Sequence, residues 1–147
     1  MCIRDRKDAL PLWVKDVLYN RIAFVKEKQI QAKALWIDDK SSNNKLEQQL
    51  LQSFGLSFDI ATSSEAGMQL LSTTTYDLML SNIARGENTT EGIQFLPKLV
   101  RRKKLLPTIF YIGNYFPSKG VPPYAFGIAN RPDELIHLVL DVLERKY

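Results

Sequence analysis

Five short apolar runs, four of them followed by a stretch with apolar residues at helical spacing, constrain the fold of this 147-residue chain more than any other feature. The runs cover 33–37, 56–61, 76–83, 107–112 and 125–129. Strand and helix alternating in this way predict an α/β fold, a five-stranded parallel sheet, doubly wound, with helices on both faces. Leu78-Met79-Leu80 is apolar without alternation, as expected of a central strand covered on both sides. That run ends abruptly in Ser81-Asn82. Ligands of open α/β sheets gather at the carboxyl ends of strands, so Asn82 stands where a functional group is expected.

The intervening stretches supply the helices. Ser41, Ser42, Asn43 and Asn44 are residues suited to starting a helix. Leu46, Leu50, Leu51 and Phe54 form one helical face, closed by Gly55. Thr62-Ser63-Ser64-Glu65 has the form of a capping box ahead of Ala66, Leu70 and Leu71. A helix over 91–102 carries Ile93, Leu96, Leu99 and Val100, with Pro97 predicting a kink or irregular turn. Asn130 and Asp133 open the last helix, whose core face is Leu135, Leu138, Val139, Val142 and Leu143. The segment 113–124, rich in proline and glycine, is expected to be loop with at most a turn of helix.

One helix precedes the sheet. It occupies 7–32, with Val14, Leu18, Ile22 and Val25 at helical spacing. It either packs on its own domain or is the end of a longer dimerising or signalling helix, with a membrane-surface role as a minor option. The domain proper then runs over 33–147. Residues 1–6, Met1-Cys2-Ile3-Arg4-Asp5-Arg6, look like the translation of a transposon-end sequencing adapter, so they are expected to be foreign and the native N-terminus to be cut off.

Composition excludes several classes. Cys2 is the single cysteine, so no internal disulfide forms, which suits a reducing, cytoplasmic setting. The single histidine, His137, rules out a multi-histidine metal site or a histidine relay; it is expected at the edge of the core. No apolar run approaches the roughly 20 residues of a membrane helix. The net charge of +4 is mild, and there is neither a helix-turn-helix segment nor a basic strand interleaved with aromatics, so nucleic acid is not an expected partner. Arg101-Arg102-Lys103-Lys104 is expected to be a solvated helix end. Tyr115, Phe116 and Tyr124 form either an exposed aromatic patch or local loop packing.

The candidate site is small. Asp38 and Asp39 follow the first strand. They are either carboxylates that help start the next helix or an acidic pocket that takes a partner's basic group or, weakly, Mg²⁺. Strand alternation turns Ser81 away from Asn82's side of the sheet.

From about Lys33 onward the chain resembles the receiver domain of bacterial response regulators. The resemblance rests on Leu35-Trp36-Ile37-Asp38-Asp39, the Gly55 turn, Ser64-Glu65-Ala66, Tyr76-Asp77-Leu78-Met79-Leu80-Ser81 and Arg131-Pro132-Asp133-Glu134-Leu135, in that order and spacing. It implies a flavodoxin-like fold in which an acidic pair helps hold Mg²⁺ and an aspartate after the third strand accepts a phosphoryl group. A hydroxyl after the fourth strand and a lysine after the fifth read the phosphate. Mg²⁺ favours carboxylate oxygens, and a carboxylate is a nucleophile towards phosphorus. On that pattern Asp38 and Asp39 match the acidic pair, Asn82 falls on the phosphoacceptor, Ile112 on the hydroxyl, and Asn130 or Arg131 on the lysine. The family's fourth helix is expected to be short or missing.

These departures imply a degenerate receiver, not an enzyme. It would act as a phosphorylation-independent interaction module in two-component, phosphorelay-type signalling, with a sensor kinase, another receiver or itself as partner, and a homodimer through the N-terminal helix as one arrangement. No cofactor is expected, with weak Mg²⁺ binding at most. The competing readings are an authentic phosphorelay receiver with an atypical phosphoacceptor site, and a small Mg²⁺ enzyme built on Asp38 and Asp39. The last lacks a general base near neutral pH and a glycine-rich phosphate loop.

Overall fold

The computed structural model describes residues 20, 21, 23, 31–39, 44–53, 55–83, 91–112 and 121–146. Within them five strands alternate with four helices: β1 Ala32–Ile37, α1 Lys45–Gln52, β2 Leu56–Ala61, α2 Ser64–Thr73, β3 Leu78–Ser81, α3 Glu91–Arg101, β4 Thr108–Tyr111, β5 Gly127–Ala129 and α4 Pro132–Lys146. The sheet order is β2-β1-β3-β4-β5, and every pairing is parallel. The chain therefore runs outward from β1 to β2, then crosses back to β3 and continues the other way. That reversal between β1 and β3 opens a crevice at their carboxyl ends.

Side-chain alternation explains the two-faced core. Ala34 and Trp36 of β1, Leu78 and Leu80 of β3, and Ile109 and Tyr111 of β4 point to one face. There they meet Leu51 of α1 and Leu135, Val139 and Leu143 of α4. Leu35, Ile37, Met79 and Phe110 point to the other face, against Phe95, Leu96 and Leu99 of α3. All four residues of β3 are buried, which is why its sequence reads as a continuous apolar run. Burying each such leucine contributes about 1.5–3 kcal/mol.

Several boundaries differ from the sequence expectation for identifiable reasons. β3 begins at Leu78, not Tyr76, because Asp77 exchanges bonds with Lys33 through both its amide and its carboxylate. β5 begins at Gly127, because Ala125 N–H closes a turn onto Pro122. The cap of α2 is Ser63, whose hydroxyl accepts from Ala66 N–H at 3.1 Å, so the capping box centred on Thr62 is one residue out of register. Gly55 makes the turn out of α1 with a φ of 99°. α3 runs on through Pro97 without a break.

The segment expected to carry a short or missing helix falls partly on 113–120, outside the described residues. From 121 to 126 there is only a turn. The N-terminal helix also lies outside them, except for Asn20, Arg21 and Ala23, which are helical. Arg21 bonds to Asp141 at 2.9 Å, Glu144 at 3.2 Å and His137 Nδ1 at 2.7 Å, which ties this stretch to α4. Among the described residues no helix is long and apolar enough to cross a membrane.

Candidate functional site: an amide between two carboxylates

The crevice between β1 and β3 brings Asp38, Asp39 and Asn82 together. Asn82 N–H bonds to Ile37 C=O at 3.1 Å, and Asp38 N–H to Ala61 C=O at 2.9 Å, so backbone bonding fixes both residues at their strand ends. The Asn82 side chain then donates Nδ2 to Asp38 Oδ1 at 3.3 Å and to Asp39 Oδ1 at 2.9 Å. The orientation of the amide follows from charge. Turned over, its oxygen would face two carboxylates.

Asn44 completes the arrangement. Its Nδ2 donates to Asp38 Oδ2 at 3.0 Å, and its side chain is fully buried. Asn44 is the residue ahead of α1, but its side chain makes no capping bond to the helix. Its sequence position suggests a helix start, and only the fold reveals it as a partner of the acidic pair. Asp38 is 3% exposed and has an amide donor on each oxygen, whereas Asp39 sits at the exposed rim.

Gly92 supports the end of β3 from behind. Its N–H bonds to Ile83 C=O at 2.7 Å. A Cβ at this position would lie 2.3 Å from Asn82 O and 3.0 Å from Ile83 Cα, so α3 can start this close only with glycine. Ser81 is buried away from the crevice, its hydroxyl donating to Asn82 C=O at 2.7 Å.

The remaining switch-equivalent positions stand at the carboxyl ends of β4 and β5. Ile112 follows β4, half-buried, with its N–H on Ala129 C=O at 3.0 Å. Asn130 is half-buried at the end of β5. Arg131 turns onto the first turn of α4, where it pairs with Asp133 at 3.1 Å and Glu134 at 2.9 Å. Its guanidinium is thus committed to its own helix. Among the described residues no three of His, Cys, Asp and Glu are grouped to hold a metal ion.

Comparison with solved structures recovers one fold. The chain superposes on the Francisella response regulator 1452 receiver domain with a TM-score of 0.68 and 18% identity, over 80% of this chain and all of that one (100%). The Thermotoga maritima response regulator TrrA, solved in complex with Mg²⁺-BeF, gives 0.65 at 20% identity over 77% of this chain and 100% of that one. The chemotaxis response regulator CheY4 of Vibrio cholerae gives 0.65 at 19% identity, covering 78% and 100%. No protein-family model matches the sequence, and neither does any curated protein sequence. The chain has the fold of response-regulator receiver domains.

Proposed function

We propose that this domain is a degenerate receiver, a contact module of two-component, phosphorelay-type signalling that keeps the receiver fold without the aspartyl-phosphate cycle. One observation carries the reading: the amide of Asn82, the residue that the sequence resemblance puts at the acceptor position, donates to both neighbouring carboxylates. An amide nitrogen is delocalised and an amide oxygen is neutral, so neither attacks phosphorus as a carboxylate does.

The same donors argue against a resident cation. Mg²⁺ requires a near-octahedral shell of oxygen ligands at about 2.0–2.1 Å. Here N–H protons, not lone pairs, face Asp38 and Asp39. The Asn82 amide stands where the cation's charge would be needed and supplies part of what the cation would supply. These residues do not fit Mg²⁺.

The positions that would read a phosphate are changed in the same direction. Ile112 has no hydroxyl to offer, and of the two residues that could take the lysine position Asn130 carries no charge and Arg131 is engaged with Asp133 and Glu134. Signalling then rests on docking. A sensor kinase, another receiver or a second copy of this chain approaches the strand ends, where the exposed Asp39 carboxylate offers a handle for a basic group. On this reading the domain is not an enzyme and works in the cytoplasm.

The test is incubation of the full chain with acetyl phosphate and Mg²⁺, and separately with beryllofluoride and Mg²⁺. Intact mass and the amide resonances of 38, 39 and 82 should not change. The appearance of one added phosphoryl group on the unaltered chain would reject the proposal in favour of an authentic receiver with an atypical acceptor.

A further inference from the structure

The opposite end of the sheet carries a second unusual surface. α3 ends in Lys98, Arg101, Arg102, Lys103 and Lys104, within a stretch of seven residues, 98–104. Four of these side chains are exposed, and Lys104 is half-buried. Among the described residues none of the five forms an ion pair. Together they exceed the +4 net charge of the whole chain, so the remainder is slightly acidic and the positive field is focused at this corner.

Exposed apolar side chains gather at the same end. Among the described residues five large hydrophobics are exposed, and four of them are Val100 (38%), Leu105 (40%), Val121 (50%) and Tyr124 (54%). Val100 lies within the basic stretch and Leu105 directly follows it. Val121 and Tyr124 precede β5, and Leu105 precedes β4. β4 and β5 are neighbouring parallel strands, with Phe126 N–H on Thr108 C=O at 2.7 Å, so both strands start side by side at one end of the sheet.

Backbone conformation adds a third, independent mark. Two non-glycine residues have positive φ among those described, Lys103 at 56° and Tyr124 at 70°, and both lie here. Lys103 is the left-handed residue of a Schellman ending. Its N–H bonds to Val100 C=O at 3.1 Å, and Lys104 N–H to Leu99 C=O at 2.9 Å. Glycine is the residue that fits this position without strain. A lysine held there places a cation at a cost in stability. The helix dipole accounts for one or two cations in a last turn. It does not account for five, nor for the exposed aliphatic and aromatic side chains among them.

We infer that this corner, formed by the end of α3 and the segments leading into β4 and β5, is a docking surface for an acidic protein segment whose apolar side chains alternate with carboxylates. Charge complementarity selects an anionic partner. The apolar side chains select among anionic partners. One lies on α3 and three in the segments leading into β4 and β5, so they do not form the continuous apolar helix face with which proteins lie in a membrane surface. A duplex backbone gains nothing from Val100 or Leu105. A peptide with leucines between its carboxylates satisfies both. The surface is at the far end of the sheet from Asp38 and Asn82, so the inference stands independently of the reading proposed for that crevice.

The experiment uses the full chain and a labelled synthetic amphipathic peptide of about 16 residues, long enough for several helical turns, with glutamate and leucine on one face. Controls are the same peptide with serine for leucine, a short DNA duplex and vesicles containing phosphatidylserine. The leucine peptide should bind with a Kd of about 10–100 µM. Binding should weaken severalfold between about 50 and 200 mM salt. An Arg101→Glu, Lys104→Glu double variant should lose at least about tenfold. A Val100→Ser, Leu105→Ser variant should also bind more weakly, and Asp38→Asn should bind as the parent does. Lys103→Gly separates docking from folding, because it should raise Tm by about 2–4 °C while lowering affinity. Equal binding of the serine peptide, tighter binding of DNA or vesicles, or no binding of the leucine peptide overturns the inference.

Discussion

Asn82→Asp introduces the carboxylate a phosphoacceptor needs and places a third carboxylate against two others. It removes the N–H donors now 3.3 Å from Asp38 and 2.9 Å from Asp39. Hydrogen bonds to charged groups contribute about 1.5–3 kcal/mol each, the longer one at the lower end. Like charges about 4 Å apart repel by roughly 4 kcal/mol at an effective dielectric of 20. Water screens the exposed Asp39 but not Asp38, which is 3% exposed. Protonating the new carboxyl sets a ceiling, since keeping an aspartate neutral at pH 7 costs roughly three times 1.36 kcal/mol. The expected loss is therefore about 2–4 kcal/mol at pH 7 in EDTA, a fall in Tm of roughly 6–12 °C. The new group's folded pKa is raised by its neighbours. Stability is thus regained below its ordinary pKa and lost as pH rises through the folded value. Mg²⁺ now has three carboxylates, and at 100 times its Kd it restores about 2.7 kcal/mol. Thermal melts of both proteins at pH 5 and pH 8, with EDTA or MgCl₂, measure each of these contributions. The parent should melt at the same temperature with and without Mg²⁺. A variant as stable as the parent in EDTA at pH 8, or one indifferent to Mg²⁺, would refute the claim that the amide substitutes for a cation.

Three further outcomes follow from other contacts. The Tyr76 hydroxyl donates to Asp59 at 2.7 Å and is pushed up to about 12, mainly by burial and then by that carboxylate. Its contribution is complete below the ordinary tyrosine value of 10.0 and lost as pH rises through about 12. Asp59 is 39% exposed, so screening leaves about 1 kcal/mol, and alkaline unfolding curves of Tyr76→Phe should lack that loss. Gly92→Ala should cost about 1–3 kcal/mol in urea unfolding and shift the Asn82 resonances, because the added methyl meets backbone. Tyr111→Phe removes a 2.6 Å bond to the fully buried Glu47 and should lower stability by about 1–3 kcal/mol without altering peptide docking at the α3 corner.

The fold was legible because the strands are short, apolar and mostly separated by stretches with apolar residues at helical spacing. Leu78-Met79-Leu80 told of burial on both faces before any pairing was known, and the structure buries all of β3. Adjacency at the strand ends was harder to read. Asp38 and Asn82 are 44 residues apart in sequence and meet only because β1 pairs with β3. The role of Asn44 was hidden, since an asparagine before a helix reads as a cap, and a tertiary contact took its side chain instead. Arg131 was ambiguous for a similar reason. Its charge fits the lysine position, but Asp133 and Glu134 two and three residues on offer nearer carboxylates. The strained Lys103 had no sequence signal at all, because that position normally reveals itself by a glycine.

On the proposed reading the altered positions form one consistent set. In a working receiver, three carboxylates in one crevice are tolerable because a cation and a phosphate are held against them. With Asn82 in place the crevice holds two carboxylates, each hydrogen-bonded by an amide, and on the proposed reading its demand for Mg²⁺ is lower. If no phosphate is received, a hydroxyl after β4 would have nothing to donate to, and a half-buried Ile112 stands there instead. A free cation after β5 would likewise have no phosphate to meet, and Arg131 pairs with Asp133 and Glu134 at the start of α4. None of these residues belongs to the two apolar clusters that hold the sheet between its helices. The phosphate chemistry can thus be lost from the strand ends while the core that presents those ends to a partner stays intact.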